Sequence, residues 1–139
     1  MQSYGKTNEG RLLQLAFISS PENLKNLESI RKTHLQNSGI EKGPLNNEKA
    51  IVWLSYNVHG NESSSTEAAM KTAHALLTKY SNWLKDTIVI IDPCINPDGR
   101  DRYVNLYNQT KSTPYDSNGL TREHSESWHS GEVIIICLI

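Results

Sequence analysis

A chain of 139 residues is the size of one ordinary domain and is long enough to bury a core. Its 14 basic and 15 acidic side chains are mixed along the chain and leave a net charge of −1, which argues against a nucleic-acid tail or a membrane-binding basic face. Charged residues at 21% and apolar residues at 37% are the proportions of a folded protein rather than a disordered one.

The opening residues are polar, and no apolar leader follows Met1. Residues 1–11, MQSYGKTNEGR, read as a turn joining two strands. Residues 12–19 form an apolar run with little alternation, the pattern of a strand buried on both faces. Ser20-Pro21-Glu22 then announces a helix: a serine N-cap, proline at the first helical position and an acid in the first turn. Leu24, Leu27, Ile30, Arg31 and Leu35 recur at helical spacing, and the helix fades near Gly39. Residues 41–49 hold Gly43-Pro44 and Asn46-Asn47 and read as a surface loop.

A second buried strand is expected over residues 50–56, followed by a loop over 57–63. Ser64-Ser65-Thr66-Glu67 has the form of a capping box, with Ser64 as N-cap. The helix after it places Ala69, Ala73, Leu76, Leu77 and Tyr80 on one face. A short helical turn or loop is expected over residues 81–86, and residues 87–91, dense in β-branched side chains, read as a third buried strand. Residues 92–99, DPCINPDG, read as a rigid loop, and residues 100–111 as a short helix or an irregular segment. Strands alternating with amphipathic helices define an α/β sheet with helices packed on its faces. Ligands of such sheets bind beyond the carboxyl ends of the strands.

The chemistry concentrates in the loop after the second strand. His59 and Glu62 stand three positions apart, a spacing that offers an imidazole and a carboxylate to one zinc ion. Taken alone the spacing is a weak signal, because a loop histidine beside a first-turn glutamate that favours the helix dipole is commonplace. Cys94 and Cys137 are far apart and make no Cys-x-x-Cys pair, so a disulfide framework is not expected. His34 and His74 fall on expected helices and read as surface or packing residues.

Three further strings give the loop a context: Tyr4-Gly5-Lys6-Thr7 with Glu9-Gly10-Arg11, His59-Gly60-Asn61-Glu62, and Asn96-Pro97-Asp98-Gly99. In this order and at these spacings the chain resembles the zinc carboxypeptidases of the carboxypeptidase A type, most of all the bacterial branch whose zinc loop reads HGNE. The resemblance runs from Tyr4 to about residue 128. It implies a partial carboxypeptidase-like mixed sheet, one Zn2+ per complete catalytic domain, and peptide or protein substrates shortened from the C-terminus, with no nucleic acid and no membrane as partner. His59 and Glu62 match the first two zinc ligands. Asn61 stands where many members carry a substrate-binding arginine, so that role does not carry over. Asn96-Pro97-Asp98-Gly99 matches a structural turn beside the cleft. Arg100 and Arg102 follow it and are the candidate substrate-binding residues. Relatives are often exported, so a secreted or periplasmic parent fits the resemblance.

The family uses more than this. A third zinc ligand (a histidine), an Asn-Arg pair for the substrate carboxylate, a glutamate general base and a nearby tyrosine have no matching position, and the base is expected downstream of Ile139. His124 and His129 lie in a polar stretch and do not read as the third ligand. Residues 1–130 are therefore read as the N-terminal part of a catalytic domain, incomplete and inactive by itself. Residues 131–139, GEVIIICLI, change character abruptly. Relatives continue there with a string like GRSNHYLFDLNRDW, and codons for the tail exist whose shifted frame reads RSNHYLFD, so the tail is read as a frameshift; the plainer reading is a last strand. Two other functions stay open: a zinc amide hydrolase of the aspartoacylase and succinylglutamate desuccinylase type, which also shows a His-Gly-Asn-Glu loop, and a truncated, non-catalytic binding module.

Overall fold

The computed structural model describes residues 1–46 and 49–111. The centre of the molecule is β4 (Thr87–Asp92), a run of β-branched residues that buries both faces. Val89 and Ile91 point to one side, where they meet Ile18, Ala69, Leu76 and Leu84. Ile88 and Ile90 point to the other, where they meet Leu15 and, more loosely, Phe17, Leu27 and Ile30. A strand clad on both sides needs apolar residues at every position, which is why this segment lacks polar alternation.

Around β4 the sheet has the order β1-β2-β4-β3, with β1 spanning Gln2–Lys6, β2 Leu12–Ile18 and β3 Ala50–Ser55. β1 runs antiparallel to β2, and β2 antiparallel to β4. β3 runs parallel to β4, in register from Ala50 opposite Thr87 to Ser55 opposite Asp92. The sheet is mixed. α3 (Ser64–Thr78) covers one face through Ala69 and Leu76, while Leu27 and Ile30 of α2 (Leu27–Asn37) pack toward the other. This is the α/β arrangement expected of the sequence.

Several local expectations are corrected. The front of the chain is not all turn, because Gln2–Lys6 is a strand held by its ladder to β2 despite its polar composition. The helix announced at Ser20 forms, with the Ser20 hydroxyl accepting from the Asn23 N–H at 3.2 Å, but it breaks at Asn26 into α1 (Pro21–Lys25) and α2. β3 is not buried on both faces: Ile51, Val52 and Trp53 are exposed, because among the described residues β3 is an edge strand paired only with β4. Leu77 also faces outward. α3 starts one residue from the expected cap, with Ser63 as N-cap and no side-chain capping bond. The hydroxyl of Ser65 instead accepts from the backbone N–H of Asn57.

The largest correction concerns Asn96-Pro97-Asp98-Gly99. It is not a free turn but the start of α4 (Pro97–Thr110), with proline in the first turn and the Asn96 side chain accepting from Gly99 N–H at 2.9 Å. Residues 81–85 form a short 3₁₀ helix, as the sequence allowed. No described helix is long and apolar enough to cross a membrane. His124, His129, Cys137 and the tail over residues 131–139 lie outside the described residues.

Candidate metal corner

Because β3 and β4 are parallel, the chain leaves both at the same edge of the sheet. β2 is antiparallel to β4, so the turn entering β2 lies at that edge too. Three segments therefore converge: residues 7–10, residues 56–63 and residues 93–99. Backbone bonds bind the last two together. Ile95 N–H donates to Tyr56 O at 3.0 Å and Asn96 N–H to Asn57 O at 3.2 Å. The Asn96 side chain reaches back to Val58 O at 3.0 Å.

Within this frame His59 and Glu62 face each other. Glu62 N–H donates to His59 O at 3.1 Å, closing a turn that brings the two side chains to the same side. His59 Nδ1 stands 3.4 Å from Glu62 Oε1. A tetrahedral zinc with bonds of about 2.0–2.2 Å to nitrogen and oxygen sets two of its donors about 3.4 Å apart. The residues present therefore fit such an ion in donor type and in spacing. They also fall short of a full set: among the described residues no group of three or more His, Cys, Asp or Glu is placed to hold a metal.

The corner is held from behind by Asn57, which is 1% exposed and adopts φ 56°. Its Nδ2 donates to His59 O at 2.7 Å, and its Oδ1 accepts from Thr66 Oγ1 and Cys94 Sγ, each at 3.2 Å. Gly60 is packed directly on the backbone of Gly99 and Arg100, a contact that any side chain at Gly60 would block. Asn61, the neighbour of Glu62, turns its Oδ1 inward, where it has no hydrogen-bond partner among the described residues.

Two buried carboxylates flank the corner, and their environments push them in opposite directions. Asp92 ends β4 and is 1% exposed. Burial raises its pKa above the ordinary carboxylate value, and a 2.6 Å hydrogen bond donated by Tyr4 Oη to Oδ2 only partly offsets this. Asp98 sits in the first turn of α4. Burial would raise its pKa as well, but Thr7 Oγ1 (2.7 Å) and Arg11 Nη1 (2.8 Å) donate to Oδ1 and Glu9 N–H (3.2 Å) to Oδ2, and together they hold it below the ordinary value. The turn of residues 7–10 is thereby tied to the helix that begins beside the corner.

The two candidate arginines part company. Arg100 lies next to Gly60, is largely buried along its side chain, and directs Nη2 to within 3.6 Å of Glu67 Oε1 at the start of α3. Arg102 extends away to the hairpin, where Nε and Nη2 donate to Glu9 Oε1 at 3.0 and 2.7 Å. His34 and His74 lie on α2 and α3, and His34 Nε2 is 2.5 Å from Lys49 O. Asn57 and Asp92 carry no signal of their own in the sequence, and Tyr4 stands there only as part of the Tyr4-Gly5-Lys6-Thr7 string; the bond between Tyr4 and Asp92 depends on partners in distant segments.

The imidazole of His59 and the carboxylate of Glu62 thus lie beyond the carboxyl end of β3, the part of such a sheet where ligands bind. The family model described as Zinc carboxypeptidase matches residues 1–133, and the chain belongs to that family. At the level of the family it is a zinc carboxypeptidase-type hydrolase, whose complete domains use zinc and act on peptide or protein substrates. Comparison with curated proteins and with solved structures found no match.

Proposed function

We propose that His59 and Glu62 are two protein ligands of a catalytic zinc in a metallocarboxypeptidase that releases C-terminal residues from peptides. The observation that carries the reading is the 3.4 Å approach of His59 Nδ1 to Glu62 Oε1 at the edge where β3 and β4 end, in a chain of this family. A zinc ion held there supplies Lewis acidity toward the scissile carbonyl and lowers the pKa of a bound water. The chain's own residues hold and orient. The turn closed by Glu62 N–H and His59 O keeps both donors on one side, and the backbone of α4 beneath Gly60 stops that turn from sinking.

Arg100 is the better placed of the two candidate cations. Its backbone adjoins Gly60 of the corner, and this nearness supports it as the cation that meets an anionic group of a peptide. Arg102 is engaged by Glu9 and serves the hairpin more than the substrate.

The reading is tested by titrating Zn2+ into the chain and into its His59→Ala variant. Zinc uptake that His59→Ala weakens is expected. Equal uptake by the two chains would contradict it.

A further inference from the structure

We propose that Asn57 is a positioning residue for His59, an inference that rests on the zinc reading of His59 and Glu62. Asn57 is the sole non-glycine residue with positive φ among the described residues. Side chains other than glycine rarely adopt this backbone shape, although asparagine tolerates it better than most. If the loop needed only the shape, glycine would serve at less steric cost. The side chain therefore has a separate task, and its contacts identify it.

The carboxamide is buried and joins three segments. Oδ1 accepts from Thr66 Oγ1 on α3 and from Cys94 Sγ beyond β4. The carbonyl oxygen of His59 can only accept, which fixes Nδ2 as the end of the amide that faces it, 2.7 Å away. That same oxygen accepts from Glu62 N–H, which closes the turn between the two donors. One carboxamide hydrogen bond thus anchors the peptide unit on which the relative placement of His59 Nδ1 and Glu62 Oε1 depends. Groups that orient a metal ligand from behind in this way shape metal affinity without touching the ion.

The test uses the 139-residue chain with Asn57→Gly and Asn57→Asp. Glycine keeps the backbone shape and removes the carboxamide. Aspartate keeps an acceptor for Thr66 and Cys94 but sets a second oxygen against His59 O. Zn2+ is titrated while the imidazole resonances of His59 are followed by NMR, and backbone amide exchange of β2 and β4 reports the fold. Both variants are expected to keep the protection of the sheet and to lose about 10- to 100-fold in zinc affinity at His59, the range found when partners behind a metal ligand are removed. Parent-like affinity in a folded Asn57→Gly chain would overturn the proposal alone. His59 resonances unmoved by zinc in the parent would overturn the zinc reading, and this proposal with it. Loss of sheet protection in both variants would make Asn57 a residue of the fold as a whole and would equally overturn the specific role.

Discussion

Gly60 lies directly against Gly99: a methyl group on Gly60 would stand 2.1 Å from the carbonyl carbon of Gly99 and 2.2 Å from its oxygen. The loop that carries His59 and Glu62 and the helix that starts at Asn96-Pro97-Asp98-Gly99 are therefore in backbone-to-backbone contact. Two stretches of sequence that look like separate turns make up one corner.

Gly60→Ala is expected to force that corner apart. The obstructing atoms are backbone, so relief requires a shift of the loop or of α4, and overpacking of this kind costs about 1–3 kcal/mol. A lowered urea midpoint with an unchanged denaturant slope is the expected result. A parent-like midpoint would show that the contact is looser than described.

Acid should loosen the joint between the hairpin and α4 through Asp98. Its folded pKa lies below the ordinary value of 3.8, so the folded state binds fewer protons there than the unfolded chain. The contribution is fully present above that value and is lost as pH falls through the folded pKa. Asp98→Asn is expected to lower stability at neutral pH and to flatten its decline below about pH 4. Urea unfolding of both chains from pH 7 down to pH 3 would check this.

Asp92 should behave in the opposite sense. Burial raises its folded pKa above 3.8, so the folded state binds more protons there, and the site costs stability as pH rises from the unfolded value through the folded one. Asp92→Asn, which keeps an acceptor for Tyr4 Oη, is expected to be neutral or stabilising at pH 7. Tyr4→Phe removes the donor from a buried carboxylate and is expected to cost about 1–3 kcal/mol. Thermal melts should therefore show a lowered Tm for Tyr4→Phe and no loss for Asp92→Asn; a marked loss in Asp92→Asn would refute the assignment.

The legible parts of this fold were those coded by neighbours in the chain. Residues 87–91 are legible as a strand because being covered on both faces demands unbroken apolar residues, and the strand runs one residue further, to Asp92. The start of α1 was evident because Ser20 and Pro21 act within three residues. His59 and Glu62 could be paired because a turn of three residues joins them. The features that the sequence does not show depend on distant partners. Gln2–Lys6 is a strand only because β2 lies beside it. Ser65 gives its hydroxyl to Asn57 instead of to its own helix. The bond between Tyr4 and Asp92 spans 88 positions, and an asparagine in a polar loop gives no sign that it will be buried to 1%. The exposure of β3 is not legible because its composition is apolar while its neighbours are set by topology.

Zinc binding by His59 and Glu62 is tested most directly by a Zn2+ titration of the chain followed by the imidazole resonances of its five histidines, His34, His59, His74, His124 and His129. The His59 ring is expected to respond first, Glu62→Gln to weaken the response, and His59→Ala to remove this site while His34 and His74 stay unmoved. Zinc taken up with the same affinity by a His59→Ala, Glu62→Gln chain would contradict it.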